Sequence, residues 1–164
     1  MAWKDWHGQH MAAPIRPTDD DARALAHELL EGAGHAALGV IDPENGAPFV
    51  SRVAISADGP DVLLLISTLS QHTTALDHDP RASLLIGEPG AKGDPLTHPR
   101  LTLQGQVVAV DKEDRRPLWH VPPPKSALYF DFADFRMMQL RADRMFLNCG
   151  FGKAFVLTRD DLIR

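Results

Sequence analysis

The chain has 164 residues, of which 44% are hydrophobic and 24% charged, values typical of a single globular domain. A chain of this length buries roughly 70% of the surface that its unfolded form exposes, so it can form its own core. The formal net charge of −5 opposes nucleic-acid binding, and no apolar run approaches the ~20 residues of a membrane span. We therefore expect neither nucleic acid nor membrane as a partner. Cys149 is the single cysteine, which excludes an intrachain disulfide and favours a cytoplasmic location.

The beginning of the chain differs in pattern from the rest. Residues 1–17 show weak periodicity and contain two of the prolines, so we expect an N-terminal arm there and one domain over residues 18–164. Thr18 is expected to cap a helix, because apolar residues recur at helical spacing from Ala22 to Ala33.

After this helix the apolar period changes to two, which predicts strands. The predicted strands are 35–41, 49–56, 62–67, 82–86, 100–110, 135–140, 145–149 and 154–157, and the predicted helical segments are 70–79, 112–120 and 125–130. The short turns between the first three strands favour an antiparallel meander. The fold class is mainly β with helical insertions (α+β), built as a closed or nearly closed antiparallel barrel.

Several common functional motifs are missing from the sequence. The glycines near residue 34 end a helix, whereas a dinucleotide fingerprint needs glycines that lead from a strand into a helix. The histidines lack metal-ligand spacing, so no metal is expected. Cys149 lies among apolar residues and is expected to pack as one of them. No catalytic residue is assigned.

Three segments carry polar groups where a ligand is expected to bind. Arg52 lies on the second strand among apolar neighbours, and a guanidinium there needs an anion as partner. Residues 67–73 (Ser-Thr-Leu-Ser-Gln-His-Thr) end a strand and begin a helix, an arrangement whose free N–H groups and hydroxyls suit a phosphate. Arg100 and Gln104 lie on the polar face of the longest strand.

The order of these segments resembles a known family. Arg52, residues 67–76, the stretch Asp79-Pro80-Arg81-Ala82-Ser83 and the ending Gly150-Phe151-Gly152-Lys153-Ala154 are similar to the pyridoxamine 5′-phosphate oxidase-like proteins with the FMN-binding split barrel. The most similar branch is the one that includes haem-utilisation proteins, and the resemblance covers about residues 20 to 160.

The resemblance implies a cofactor site and an assembly. Arg52 would pair with the FMN phosphate, and Arg100 would lie near the ring or the ribityl chain. The remaining cofactor-binding positions implied by the resemblance are Val53, Ala54, Ser67, Thr68, Gln71, His72 and Thr73. The hydroxyls of Ser67 and Thr68 would lie beside the phosphate. His72, or else Thr73, falls where many members place a basic residue. The family also implies a homodimer with FMN at its interface, to which the apolar third strand and the aromatic segment 129–135 would contribute.

The expected function is an FMN-dependent oxidoreductase acting on an unidentified small molecule. Residues 151–153 lack the Arg-x-His pattern of the true oxidase, so pyridoxamine phosphate is not the expected substrate. A haem-binding or haem-utilisation protein, a non-catalytic flavin-binding module and a dimeric scaffold without ligand remain open alternatives. A deazaflavin is an alternative to FMN, because both present a phosphate and a similar tricycle.

Overall fold

The computed structural model describes residues 15–120, 125–150 and 153–163. The strands are β1 (Ile15–Arg16), β2 (His35–Ile41), β3 (Pro48–Asp58), β4 (Asp61–Ser67), β5 (Arg81–Ile86), β6 (Arg100–Ala109), β7 (Phe135–Asn148) and β8 (Ala154–Thr158). The helices are α1 (Asp20–Gly32), α2 (Gln71–His78), α3 (Lys112–Arg115) and α4 (Lys125–Phe130). Most of the expected N-terminal arm, residues 1–14, and the predicted Phe151-Gly152 pair lie outside the described residues, and the division at residue 18 stays a prediction.

The strands form one sheet that closes into a barrel. Their order is β1-β8-β7-β4-β3-β2-β5-β6, and β6 pairs back with β7 to close six strands. All pairings are antiparallel except β1 with β8. The predicted meander of β2, β3 and β4 and the mainly β barrel class are both confirmed.

The core fills the inside of this barrel. Alternate residues of each strand point inward, and Leu38, Leu64, Leu84 and Leu103 are fully buried, as a closed small barrel requires. β4 is buried on both faces: its outer residues Leu63 and Leu65 pack in a second cluster with Phe130 and Met137. The wholly apolar character of this strand is therefore explained within one chain and does not require a dimer interface.

Two local expectations are wrong. Asp19, not Thr18, caps α1: its side chain accepts a hydrogen bond from the Ala22 N–H, whereas the Thr18 hydroxyl donates to the Val156 carbonyl. The two strands expected at 135–140 and 145–149 form one continuous strand, β7. All of β6 pairs with β7, and a shift in register between Gln104 and Gly105 lets the pairing continue across the expected break.

Within the described ranges, no helix has the length and apolar character needed to cross a membrane.

Candidate functional site

One outer surface of the barrel is not covered by the described residues. It is formed by β3, β2 and β5, and we call it the Arg52 face; its outward residues are His35, Ala37, Val50, Arg52, Ala54 and Leu85. The register places Ala37 of the central strand β2 opposite both Arg52 and Leu85. Val50 is 65% exposed and Leu85 43%, so the face is apolar and accessible.

Arg52 is the cation at the centre of this face. It is exposed, and among the described residues its guanidinium has neither an ion pair nor a hydrogen bond. Ala37 and Ala54 beside it are small, which leaves room for a flat molecule close to the sheet. An unpaired guanidinium on an apolar face is suited to a ligand that combines an acidic group with an apolar body.

A groove continues the Arg52 face past Gly39, the cross-strand neighbour of Val50. Its volume is about 660 Å³, within the ordinary range of cofactor sites. Arg81 on its wall is held by the Asp79 carboxylate, with an N–O distance of 2.5 Å. Arg144 lies over the Phe146 ring at 4.6 Å from the ring centroid. Both of these cations already have partners, unlike Arg52.

The hydroxyl-rich turn after β4 is largely engaged in its own hydrogen bonds. Ser67 Oγ donates to the Asp134 carboxylate at 2.7 Å, and the Thr68 N–H donates to the Asp134 carbonyl at 2.7 Å. Thr73 is buried, and its hydroxyl donates to the Ser67 carbonyl at 2.6 Å. The turn therefore presents a carboxylate beside the Ser67 hydroxyl. Of these three hydroxyls, that of the exposed Thr68 is the one with no hydrogen bond to a described residue.

The first turn of α2 retains free donors. The Ser70 side chain makes no capping hydrogen bond, and the N–H groups of Gln71 and His72 have no hydrogen-bond partner among the described residues. Gln71 is exposed. This helix end can accept an anion, although the Asp134 carboxylate beside the turn opposes one.

His72 points toward the barrel and not outward. Its Nδ1 lies 3.0 Å from Ser51 Oγ on the inner side of β3, and its Nε2 is buried with no partner in the described part of the chain. Burial lowers the pKa of His72 below its ordinary value, because desolvation disfavours the imidazolium. The imidazole is neutral and joins α2 to β3.

The remaining sequence-predicted residues divide between the two sides of the sheet. Val53 is buried in the core, whereas Ala54 lies on the Arg52 face and pairs with Leu65. The β3–β4 ladder stops at that pair, so Arg52 and Ser67, each two residues beyond it, are not paired with each other. Arg100 begins β6, and its guanidinium donates to two carbonyls of its own loop. Arg52 and Ala54 therefore share one face of β3, and Ser67 lies just beyond the end of the β3–β4 ladder. Arg100 is held in a separate interaction, and the roles of these residues in cofactor binding stay predictions.

Sequence reasoning missed His35. It begins β2 on the Arg52 face, opposite Ala54, and its Nε2 lies 2.9 Å from the Glu88 carboxylate. The period-two pattern places His35 on the same face as Ala37, so the face on which His35 lies could be predicted from the sequence. The pairing with Glu88 was not, because those two residues are far apart in sequence.

Other candidate chemistry is weak. The described residues hold no group of three or more His, Cys, Asp or Glu side chains positioned for a metal ion. Cys149 is half-buried, and burial raises the pKa of its thiol. The thiol is therefore protonated near neutral pH and unsuited to act as a nucleophile.

Comparison with known proteins gives one curated relative and several structural ones. No family model matches the chain. The non-canonical heme oxygenase HOZ, a chloroplastic protein of Arabidopsis thaliana, is 35% identical over 118 residues, which are 68% of this chain and 35% of that protein. The chain thus spans about a third of the curated relative that it matches.

Solved structures match over most of the chain. One is 46% identical, has a TM-score of 0.84 and covers 91% of this chain and 99% of its own. A heme binding protein from Mycobacterium smegmatis is 28% identical with a TM-score of 0.77, over 90% of this chain and 61% of that one. A general stress protein 26-related protein of the pyridoxinephosphate oxidase family from Clostridium acetobutylicum has a TM-score of 0.69 at 18% identity, over 88% and 99%. At that identity it supports the fold alone.

Proposed function

This chain belongs to the pyridoxamine 5′-phosphate oxidase-like split-barrel family, in the branch that includes haem-utilisation proteins, and on that premise we propose that it binds haem on the Arg52 face. The family contains both FMN oxidase-like and haem-binding proteins, so the choice between them depends on the side chains of this chain.

The Arg52 guanidinium has no partner within residues 15–120, 125–150 and 153–163, and this observation carries the proposal. Haem has an apolar macrocycle and two propionate carboxylates. The Arg52 face offers a matching apolar surface with a guanidinium that no described residue pairs. Arg52 would hold a propionate, while Ala37 and Leu85 would contact the macrocycle. When bound, haem supplies a redox-active iron; the residues of this chain bind it, orient it and exclude water from one side.

Two relatives that are more than 25% identical and carry a functional name support haem. One is named a heme oxygenase and the other a heme binding protein. The proposal is restricted to binding, because this chain spans only 35% and 61% of those proteins.

FMN is the second candidate, and the free N–H groups at the start of α2 favour it. The oxidoreductase activity expected from the sequence depends on this candidate. Two contacts weigh against it: the Thr73 hydroxyl is buried in a bond to the Ser67 carbonyl, and the Asp134 carboxylate accepts from Ser67. A phosphate dianion at the turn would lie beside that carboxylate. A propionate held by Arg52 does not need the turn.

A homodimer and a cytoplasmic location belong to the same proposal. A planar ligand on an open sheet face is covered on one side only, and a second copy seated on the exposed Val50 and Leu85 would cover the other. Sedimentation velocity with and without haemin tests this part. A dimer with haemin is expected, and a monomer under both conditions contradicts it.

The visible absorption spectrum tests the proposal directly. Purified protein is titrated with haemin and, separately, with FMN. We expect a saturable Soret shift with haemin at one site per chain or per pair of chains, and a weaker response to FMN. Flavin bands that shift at micromolar FMN, with no saturable haemin response, would replace the proposal with the flavoprotein alternative.

A further inference from the structure

His35 lies on the Arg52 face with one ring nitrogen available to a ligand. The His35 Nε2 lies 2.9 Å from Glu88 Oε1, and the two side chains are 45% and 66% exposed. Nδ1, the second ring nitrogen of His35, has no hydrogen-bond partner among the described residues. The ring is therefore held at one end and accessible at the other.

The spacing of His35 and Arg52 suits a ligand with two acidic groups. His35 pairs with Ala54, and Ala37, two residues along β2, pairs with Arg52. Such diagonal neighbours on one sheet face lie roughly 7–8 Å apart. The two propionates of haem leave neighbouring positions on one edge of the macrocycle, and both are flexible enough to reach partners at this spacing. The proposed function assigns one propionate to Arg52 and leaves the other without a partner.

The Arg52 face has its lowest surface on the side away from His35. Gly39 follows Ala37 on the outer side of β2 and pairs with Ser83 of β5. Gly39 presents no side chain and Ser83 a short one. A macrocycle whose propionate edge faces His35 therefore extends over Ala37 and Leu85 onto this low surface and stays in contact with the sheet.

Other polar groups near the Arg52 face are less suited to the second propionate. Arg81 is held by the Asp79 carboxylate, and Arg100 donates to two carbonyls of its own loop. The turn at Ser67 presents the Asp134 carboxylate, which opposes a second anion. His35 has neither restriction at Nδ1.

Resting on the proposed function, we infer that His35 Nδ1 donates a hydrogen bond to the second haem propionate and that the imidazole takes up one proton from solvent when haem binds. In a neutral imidazole one nitrogen is a donor and the other an acceptor. An Nε2–H that donates to Glu88 leaves Nδ1 without a proton. A carboxylate at each nitrogen requires a donor at both, and the ring with two donors is the imidazolium.

The charges around His35 determine how this proton uptake depends on pH. Glu88 and the propionate flank the imidazolium, and nearby opposite charges stabilise it. Arg52 on β3 is a nearby cation that opposes it, and the first propionate offsets that charge. The Arg100 guanidinium at the start of β6 is directed to the carbonyls of its own loop. Because histidine changes charge near neutral pH, haem affinity should fall as the pH rises.

The test measures the haemin Kd at pH 6 and pH 8 for the wild type, His35→Gln and His78→Gln. His78 is a second exposed histidine, bonded to a carbonyl of its own helix, so its replacement is the matched control. We expect the wild type and His78→Gln to bind haemin about three- to tenfold more tightly at pH 6 than at pH 8. His35→Gln should show the weaker affinity at both pH values.

Two further variants give readouts that a purely structural role of His35 would not produce. His35→Lys carries a cation throughout this pH range and should bind haemin equally well at pH 6 and pH 8. Glu88→Gln removes one of the two flanking carboxylates, so the fall in haemin affinity should occur at lower pH than in the wild type.

Iron-free protoporphyrin IX separates a propionate contact from an iron contact. It carries the same two propionates, so His35→Gln should weaken its binding by the same factor, measured by fluorescence. A loss seen with haemin and absent with protoporphyrin IX would overturn the inference. Equal haemin affinity of His35→Gln and the wild type at pH 6 would also overturn it, and would leave haem binding intact. A wild type with no saturable haemin response at either pH overturns the proposed function itself.

Discussion

His72 Nδ1 lies 3.0 Å from Ser51 Oγ, which joins the first turn of α2 to the inner side of β3. Ser51 immediately precedes Arg52, so this contact fixes the strand segment that presents the guanidinium outward. The family resemblance implies that His72 lies where many members place a basic residue. In the structure the His72 side chain contacts Ser51 on the inner side of β3, opposite the face that presents Arg52.

Replacing His72 should change how stability depends on pH. Burial lowers the pKa of His72 from its ordinary 6.5, so the unfolded chain binds more protons than the folded one as the pH falls through 6.5. His72 therefore makes a contribution to stability that decreases as the pH falls from 8 to 5.5. His72→Asn keeps a polar group near Nδ1 and should show a shallower decrease in urea unfolding. Equal slopes for the two proteins would rule out a neutral buried His72.

Asp79 should contribute to stability in acid. Hydrogen bonds from Arg81 lower the pKa of Asp79 from 3.8 to about 2. Its contribution is complete above pH 3.8 and is lost as the pH falls toward 2. Asp79→Asn should remove this part of the acid dependence when unfolding is followed from pH 5 to pH 2. Arg81→Gln should have the same effect, and an unchanged acid limb in both variants would contradict the assignment.

The contact of Asp61 with Arg159 should stabilise the β3–β4 turn. The Asp61 side chain is 8% exposed, accepts from the Ala142 N–H at 3.1 Å and is held by two nitrogens of Arg159. Arg159→Ala leaves a buried carboxylate with one donor, at a cost of about 1–3 kcal/mol. Arg159→Lys retains the charge without the planar fork and should lose less. Chemical denaturation measures both, and equal stability of Arg159→Ala and wild type would count against the contact.

Asp134 should determine which anion the hydroxyl turn accepts. Asp134→Asn keeps an acceptor for Ser67 Oγ but removes the negative charge beside the free N–H groups of α2. We expect FMN to bind several-fold more tightly, because a repulsion on the order of 1 kcal/mol is relieved, while haemin affinity is unchanged. Fluorescence titration with FMN measures the first and Soret absorbance the second. An FMN affinity that does not rise would show that Asp134 is not what opposes the phosphate.

The sequence predicted the strands well and the site less well, for physical reasons. Alternation placed β2 at 35–41 with the bounds that the structure has, because one face of each strand must be buried. Residues 141–144 separated two predicted strands, yet β7 continues through them, because one extra residue, Asp143, is accommodated where the register shifts opposite Gln104 and Gly105. Arg52 could be predicted because a charged residue within an apolar strand is visible in the local sequence, without knowledge of tertiary contacts. The inward turn of His72, the Asp134 carboxylate at Ser67 and the pairing of His35 with Glu88 depend on contacts between distant segments, which no local pattern encodes.

Substitution of Arg52 tests most directly the proposal that the Arg52 face binds haem. The haemin Kd is measured for the wild type, for Arg52→Ala and for Arg16→Ala, which removes a second exposed arginine from the distant strand β1. Because Arg52→Ala removes a charge-assisted contact, we expect binding to weaken more than tenfold in that variant and to be unchanged in Arg16→Ala. A haemin affinity in Arg52→Ala equal to that of the wild type would contradict the claim that this face binds the cofactor.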